Sequence, residues 1–263
     1  MIETIEHKIF SSFREWFEHT LLDEGQAFIN VTTPLYSMVD TRLPFASYSA
    51  PYNQWVYDSS VSGAVIPTAS GLNVPYVDYE NGRTLSGAPT GQVSYSVKEL
   101  NIYTTSASDI ELIMESKYNT RPNPHHITGS GIAPYIKVAP CIFLKPENRK
   151  TDLSSFGGNQ CKKIFVSAII ISDDDFKRFG VGSLFCDKRY SVFPYFDETP
   201  LNRYGDFKSG SYNYESKAAQ HNSPDRLIYI QNVSYTPVEV DSVTNKNPNM
   251  LFGKIYFELW SFS

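Results

Sequence analysis

What the chain lacks narrows its function before any motif is considered. The 263 residues include only three cysteines, Cys141, Cys161 and Cys186, and none has a second cysteine or a histidine at ligand spacing. An odd number of widely spaced cysteines does not make a disulfide framework, and a structural zinc site needs four convergent ligands. We therefore expect free, buried thiols in a reducing compartment and no zinc.

Charge and hydropathy exclude two further classes. The net charge is −5 and there is no long basic run, whereas a sequence-specific nucleic-acid reader needs a basic footprint. A protein that lets DNA pass without holding it remains compatible with this charge. No apolar run reaches the roughly 18 residues of a membrane-spanning helix. The acidic N-terminal segment, with Glu3, Glu6, Glu15 and Glu18, is not that of a signal peptide, so we expect synthesis in the cytoplasm.

Catalytic signatures are missing as well. Neither a Gly-x-Ser-x-Gly elbow nor a glycine-rich phosphate loop ending in Lys-Ser or Lys-Thr occurs. The pair His125-His126 has no carboxylate or cysteine at ligand spacing, which favours a surface loop over a metal site. The run Asp173-Asp174-Asp175 favours a helix cap over a calcium loop. We predict no catalytic residue, no cofactor and no metal, and therefore not an enzyme.

The chain is rich in aromatic residues, with 18 Tyr and 17 Phe, a composition that suits sheet faces and protein–protein contacts. Its central part predicts strand, helix and strand. Residues 162–171 are β-branched and apolar, Ser172 is a candidate N-cap, and residues 192–196 form a short aromatic strand. We expect the helix to pack on the sheet strand that carries Phe165 and Ile169. The helical spacing assigns this packing to Phe176, Phe179, Leu184 and Phe185.

Residues 3–22 predict an amphipathic N-terminal helix. Its apolar stripe consists of Ile5, Ile9, Phe13, Trp16, Phe17 and Leu21. The residues expected to face away from the stripe are Glu6, Lys8, Arg14, Glu15 and Glu18. A helix this aromatic has to pack on something, either the protein's own sheet or a neighbouring subunit.

Several further strands follow from local patterns. Asn81-Gly82 between short β-like runs predicts a hairpin, and the alternation of residues 93–98, continuing to Tyr103, extends it to a three-stranded antiparallel meander. Ser108 and Glu111 form a capping-box pattern, which favours a helix over the alternating strand that residues 110–114 also fit. Residues 135–144 predict a strand that Pro140 interrupts, which suggests an edge, and a polar loop follows at 147–158. Residues 227–230, with a turn or bulge at Thr236-Pro237, and 251–262 predict the closing strands.

A long polar segment, residues 197–225, separates the central unit from the closing strands. It combines glycine and serine with four aromatic residues, Tyr204, Phe207, Tyr212 and Tyr214. Flexible backbone is costly to order, and aromatic anchors supply much of the energy of an interface. We predict that these four residues lie at a subunit or neck–tail interface that is ordered by assembly; a self-packed surface loop is the alternative. Carboxylates in the same segment could supply a pair for glycoside hydrolysis, but they lack a recognisable scaffold.

The segment from Ile164 to Phe196, which ends in Val192-Phe193-Pro194-Tyr195-Phe196-Asp197, resembles the tail-terminator proteins of tailed bacteriophages. In that family a sheet strand enters a helix, and a short aromatic-aliphatic segment ending in aspartate follows. The strand Lys254-Ile255-Tyr256-Phe257-Glu258-Leu259-Trp260 is similar to that family's closing strand. Residues 77–85 and 93–97 are similar to segments of long-tailed phage virion proteins. The resemblance covers roughly half of the chain and includes no catalytic signature.

The resemblance implies a structural virion protein that forms a ring, usually a homo-hexamer, at the head–tail junction. Such a ring caps the tail tube in the neck, takes part in tail assembly and docks to the connector. Its partners would be further copies of itself, tail tube and sheath proteins, and connector or neck proteins, while DNA passes without specific binding and no membrane is involved. The protein would be made in the host cytoplasm and reside in the virion.

For the fold we predict α+β: a mostly antiparallel sheet flanked by an N-terminal helix and a central helix, with long loops and an extra β-hairpin region. Residues 1–263 form a single domain in this prediction, with residues 32–92 as a candidate loop and β-hairpin insertion. Two alternatives for the function stay open. One is another virion protein, such as a neck ring, a capsid decoration or a baseplate component. The other is a carbohydrate-active enzyme.

Overall fold

The computed structural model describes residues 5–38, 47–49, 54–69, 72–73, 77–84, 92–114, 137–153, 160–198, 200, 212–239 and 249–262. These residues form an α+β fold, as predicted. Its helices are α1 (Ile5–Asp23), α2 (Asp109–Ile113), α3 (Asp175–Cys186) and α4 (Tyr214–Gln220). Its strands are β1 (Phe28–Pro34), β2 (Tyr36–Met38), β3 (Ser47–Ser49), β4 (Thr68–Ala69), β5 (Leu72–Asn73), β6 (Val77–Asp78), β7 (Arg83–Thr84), β8 (Gln92–Lys98), β9 (Asn101–Thr104), β10 (Cys141–Leu153), β11 (Gln160–Ser172), β12 (Val192–Pro194), β13 (Leu227–Val238) and β14 (Leu251–Phe262).

The central feature is a six-stranded sheet in the order β12-β13-β14-β11-β10-β9. All neighbours are antiparallel except β9 and β10, which run parallel. The predicted strands at residues 162–171 and 251–262 are its long central pair, in register from Cys161 opposite Phe262 to Ser172 opposite Leu251. Both are buried on at least one face, which explains why their apolar patterns stood out in the sequence.

Two smaller sheets, ordered β1-β8-β4-β5 and β2-β3-β7-β6, complete the fold. The hairpin is confirmed: Val77 pairs with Thr84, and Gly82 has a φ of 58°, in the left-handed region. The predicted meander is wrong, because β8 joins β1 instead of β7. β1 offers β8 a seven-residue ladder, whereas β7 is only two residues long. Alternation identifies a strand but does not identify its neighbour.

The main core lies between α1, α3 and one face of the six-stranded sheet. On α1, Phe17 stacks on Phe185 with ring centroids 4.0 Å apart, and Phe13 meets Phe257 edge to face at 5.0 Å. Trp16 stacks on Phe193 of β12 at 5.4 Å. The apolar stripe of α1 therefore packs on the protein's own sheet, as expected for one of the two alternatives.

The polar side of α1 contradicts the prediction. Arg14, Glu15 and Glu18 were expected to face solvent, yet each is only 1% exposed. The reason is that α1 is covered on both sides, by the six-stranded sheet on one and by the segments around Trp55, Tyr79 and Val97 on the other. A stripe of apolar residues predicts one buried face, and it does not reveal that a second layer covers the rest.

Helix α3 packs differently from the prediction. Phe176 and Phe179 are 89% and 47% exposed, and the buried contacts come instead from Val181 and Phe185, with Leu184 partly buried. The ring of Tyr235 presses against the helix at Gly182, where an added Cβ would lie 2.7 Å from that ring. This close approach places the 181–185 side of the helix against the sheet and leaves the two phenylalanines outside.

The predictions for the start of α3 and for the sheet face on which it packs are also wrong. The N-cap is Asp174, whose carboxylate accepts a hydrogen bond from the Phe176 amide at 2.8 Å, and not Ser172. α3 shares its core with the alternate residues of β11, Val166 and Ala168 among them. Phe165 and Ile169 point to the opposite face, since successive side chains of a strand alternate.

The opposite face of the sheet is covered at one end by a second core around α2. The Ser108–Glu111 capping box is present. β10 is an internal strand that continues to Leu153, so the predicted edge and the loop at residues 147–158 are wrong there. Pro140 precedes the strand and does not interrupt it. In β13 the bulge lies at Gln231, between Ile230 and Asn232, and not at residues 236–237.

Candidate functional site

The structure describes two of the four predicted interface residues. Tyr204 and Phe207 lie outside the described residues, and so does the pair His125-His126. Tyr212 and Tyr214 are only 5% and 6% exposed, so they are not the exposed anchors that the sequence suggested. Residues 214–220 fold into α4, which brings the two rings against α1. The interface role of the remaining segment stays a prediction.

Tyr212 and Tyr214 are held by α1 and by the segment around Asp58. The Tyr212 hydroxyl donates to the carboxyl group of Glu15, and the Tyr214 ring stacks on His19 with centroids 4.5 Å apart. The Tyr214 amide donates to Asp58 at 3.0 Å. These contacts belong to the packing of one chain, which is the self-packed alternative for this part of the segment.

The most unusual feature of the interior is a group of polar side chains beneath α1, which we call the α1 polar cluster. It consists of five ionisable residues and one amide: Arg14, Glu15, Glu18, Glu80, Lys98 and Gln54. Arg14 donates to Glu80 across 2.5 Å, and Lys98 approaches Glu18 to 2.6 Å. α1, the 79–82 turn and β8 each contribute charges to it. Removing one partner of such a buried pair leaves an uncompensated charge, so we expect each pair to be individually required.

Within the cluster, Gln54 closes an edge of the six-stranded sheet. Its side-chain oxygen accepts from the Ile102 amide at 2.7 Å, and its amide nitrogen donates to the Ile102 carbonyl at 3.0 Å. These are the two bonds that another strand would make to β9, the edge strand. The same nitrogen donates to Glu80 at 2.6 Å, which ties this edge to the Arg14 pair. An open strand edge is a template for unwanted pairing, and Gln54 blocks it at Ile102.

Burial decides the protonation of Glu15. Desolvation raises its pKa to about 8, against the opposing effects of the Tyr212 hydrogen bond and the positive charges of Lys217 and Arg14. Its second oxygen, Oε1, is buried without a hydrogen-bond partner. Around neutral pH this carboxyl is therefore mostly protonated. The remaining acidic and basic side chains of the cluster lie in two close pairs, Arg14 with Glu80 and Lys98 with Glu18.

The neighbouring pair of His19 and Asp58 resembles part of a hydrolytic site. His19 Nδ1 lies 2.8 Å from Asp58, and burial, which would raise the pKa of Asp58, is outweighed by hydrogen bonds from His19, Ser60 and the Tyr214 amide, which lower it. A triad also needs a nucleophile on the other histidine nitrogen. Among the described residues, no serine, threonine or cysteine side chain bonds to His19. The pair instead ties α1 to the 58–60 turn and to α4.

A cleft of about 350 Å³ opens beside this pair, between α1, β12 and α4, and we call it the α1–α4 cleft. Its apolar lining comes from Trp16, Val192, Pro194, Ala218 and Leu227. His19, Thr20 and Glu24 of α1, together with Asn222, contribute polar groups. The lining is therefore mixed and does not by itself indicate one class of ligand.

On the far face of the sheet, four charged side chains form a partly exposed network. Asp109 receives Lys254 at 2.9 Å and Lys145 at 3.4 Å, and Glu147 lies 3.5 Å from Lys145. Positive and negative side chains alternate, so the charges of the network pair with one another.

Among the described residues, no cluster of three or more histidine, cysteine or acidic residues could hold a metal ion. None of the helices in that part of the chain is long and apolar enough to cross a membrane.

No family model and no curated protein matches the sequence.

The α1 polar cluster is the feature that the sequence analysis did not predict. One signal for it exists: charged residues Arg14, Glu15 and Glu18 are interleaved with the bulkiest aromatics of α1. Such interleaving leaves little room for a solvated face on the helix, which indicates burial with partners.

Proposed function

We propose that this chain is a structural protein of a tailed-phage virion, the ring-forming tail terminator of the neck. In this role several copies form a closed ring that caps the tail tube and docks to the connector. Tail tube, sheath and connector proteins would be its partners, and DNA would pass through the ring without specific binding.

The observation that carries the proposal is the adjacency of the two segments on which the resemblance rests. The strand–helix–strand unit of residues 160–194 and the closing strand β14 are distant in sequence, yet β11 and β14 pair over twelve residues, from Cys161 to Ser172. β12 then returns to the same sheet beside β13. The resembling parts thus form one structural unit, as segments inherited together would.

The chemistry of the interior gives further support. Within the α1 polar cluster Arg14 pairs with Glu80 and Lys98 pairs with Glu18, and the carboxylate of Asp58 accepts from His19, Ser60 and Tyr214. Such groups position helices and loops. Several large apolar side chains are exposed, Phe176 at 89% and Ile110 at 66% among them, and they are accessible for contacts with other molecules.

Deleting the gene in the phage tests the proposal directly. If the protein ends tube growth, the mutant should give tubes of irregular length and heads that carry no tail, and the gene supplied in trans should restore both. Tails of normal length would overturn the terminator role, and normal tails with unjoined heads would favour a neighbouring neck ring.

Two measurements on purified material separate the remaining alternatives. Light scattering should give a ring of about six subunits, the number that the resemblance to tail terminators implies. Electron micrographs of tagged protein should place it at the head-proximal end of tails. A monomer that releases sugars from host polysaccharide would favour the carbohydrate-active enzyme instead. Label at the baseplate or on the capsid would favour the other virion proteins.

A further inference from the structure

The outer edge of β13 is open over its second half. β12 covers the first half, and the last covered residue is Ile230, whose carbonyl accepts from the Tyr190 amide at 2.8 Å and whose amide donates to the Ser191 carbonyl at 3.0 Å. From there to Val238, β14 is the single strand that pairs with β13 in the described part of the chain. We call residues 231–237 the β13 window.

The register with β14 determines which backbone groups of the window point outward. Ile230, whose groups point away from β14, lies opposite Leu259. Because this direction recurs at every second position of an antiparallel pair, the residues opposite the next such positions of β14 also point outward: Val233, Tyr235 and Pro237. They present two amide donors and three carbonyl acceptors, since proline has no N–H. No described residue forms a hydrogen bond to these groups.

The β13 window lacks the charges that usually keep strand edges from pairing. Residues 231–237 contain no lysine, arginine, aspartate or glutamate, whereas exposed edges are commonly protected by charged side chains, lysine above all. A bulge and a proline are also protective, but here the bulge at Gln231 and Pro237 stand at the two ends of the window. The residues between them are free to pair.

The two sides of the window differ in polarity. On the helix side, Phe179 meets Tyr235 edge to face at 5.8 Å and remains 47% exposed. On the opposite side, the exposed residues are Ser234 and Thr236. A strand that adds to this edge should therefore carry apolar side chains towards α3 and small, neutral, polar side chains on the other face.

We infer that two copies of this chain pair through their β13 windows as antiparallel strands, about a two-fold axis at Ser234. β13 itself has the required pattern, with Val233 and Tyr235 on the helix side and neutral polar residues on the other. Ser234 is the central residue of the window, so the axis lays one window over the other without overhang. It places Val233 opposite Tyr235 of the second copy, and each such pair exchanges two hydrogen bonds.

The other edge of the six-stranded sheet favours this arrangement over a growing stack. β9 is closed at Ile102 by the side chain of Gln54, so a second molecule cannot add at that point. Pairing of β13 with β13 uses the same edge on both copies, and the contact is complete after two molecules. The two six-stranded sheets then form one continuous sheet. The inference goes beyond the proposed ring, which needs a different, head-to-tail contact.

Cysteine cross-linking tests the register. Ser234→Cys and Thr236→Cys are each made in a Cys186→Ser background, because Cys186 is the native cysteine that is partly exposed. The axis brings the two copies of residue 234 opposite each other as a non-hydrogen-bonded pair, with Cα atoms about 4.5 Å apart, within reach of a disulfide. The two copies of residue 236 lie about 13 Å apart along the strands, which is too far. Mild oxidation should therefore link Ser234→Cys into dimers and leave Thr236→Cys monomeric on denaturing gels. Equal linking of both variants, or of neither, would overturn the inference.

Charges on the axis test the symmetry. The smallest wild-type species above the monomer should be a dimer in sedimentation velocity. Like charges directly opposite each other destabilise a strand pair, so Ser234→Lys and Ser234→Glu should each raise the dimer dissociation constant at least about tenfold. Ser234→Gln, which is neutral and of similar length, is the matched control and should dimerise like wild type. An equimolar mixture of Ser234→Lys and Ser234→Glu should restore dimers that contain one copy of each. A mixture that stays monomeric where wild type is dimeric would overturn the inference.

Hydrogen exchange reports on the window itself. The amides of Val233 and Tyr235 should exchange more slowly in the wild-type dimer than in monomeric Ser234→Lys. The amide of Ile230, which is bonded to Ser191 within the chain, is the internal control and should not change. Equal exchange of the two window amides in both proteins would overturn the inference.

The same samples check folding and the other candidate occupant of the edge. Ser234 is exposed, so its variants should keep the circular dichroism of wild type, and the cross-linking pair decides the register should one of them unfold. A wild type that is monomeric at every concentration would overturn the inference. So would protection of the window amides that appears only when purified phage tails are added, because a strand of another protein would then be the occupant. Normal tails after gene deletion would overturn the proposed function alone.

Discussion

Replacing Glu15 by glutamine should stabilise the protein, and the gain should depend on pH. The carboxyl of Glu15 is 1% exposed, and burial raises its pKa from 4.5 to about 8. An acid whose pKa is raised in the folded state favours folding fully below its unfolded pKa and loses that contribution as the pH rises towards the folded pKa. Glutamine keeps an oxygen that can accept from Tyr212 and carries no titratable proton.

The size of the stability gain follows from the difference between the unfolded and folded pKa of Glu15. Between pH 4.5 and pH 8 each pH unit costs the wild type about 1.4 kcal/mol relative to the glutamine variant. Relative to its value below pH 4.5, the advantage of the glutamine variant in unfolding free energy is therefore about 3 kcal/mol at pH 7. Above pH 8 this advantage levels off between about 4 and 5 kcal/mol. Below pH 4.5 the two proteins should differ by a constant amount.

Urea unfolding of both proteins from pH 4 to pH 9, followed by tryptophan fluorescence, measures this difference. The matched control is Glu6→Gln, on the first turn of the same helix but outside the buried cluster. A Glu15→Gln difference that does not grow with pH would refute the reasoning, because it would mean that this carboxyl titrates in the folded state as it does in the unfolded one. A wild type whose m value changes with pH would have to be compared by midpoint and slope together.

Three further predictions concern packing and the sheet edge. Phe185→Ala should lower the unfolding free energy by about 3–5 kcal/mol, because the Phe185 ring is fully buried against Phe17. Phe179→Ala should lower it by only about 1 kcal/mol or less, because Phe179 is half exposed. Equal losses in urea unfolding would contradict the assignment of the α3 core. Gly182→Ala should cost about 1–3 kcal/mol by forcing a methyl group onto the Tyr235 ring, and Gly180→Ala, which meets no neighbour, is its control. Gln54→Leu should leave the Ile102 amide without its acceptor and speed its hydrogen exchange, while unchanged exchange would show that another group takes over.

Local sequence patterns predicted the individual helices and strands of this fold better than they predicted which strands pair with each other. The β-branched run of β11, the alternation of β14, the Ser108 capping box and the Asn81-Gly82 turn are each determined by residues close in sequence, and each is present. The partner of β8 and the internal position of β10 depend on which strands meet in space. No pattern within a single strand contains that information.

The same limit explains the errors on the two helices. The 3.6-residue period on α1 identified its apolar stripe, but the burial of Arg14, Glu15 and Glu18 depends on a second layer from the segments around Trp55, Tyr79 and Val97. On α3 the periodic phenylalanines suggested the core face, and the approach of Tyr235 to Gly182 turned the helix so that Phe176 faces solvent. In both cases tertiary packing overrode the local pattern.

The side chain of Gln54 has a consequence for aggregation. A β-sheet can recruit strands from other molecules only where its outermost backbone groups are free, and at Ile102 both groups are already taken by an amide from within the chain. Growth by strand addition at that point is closed before any second molecule arrives. At this border of the sheet the protein is therefore protected from fibre-like stacking by its own side chain.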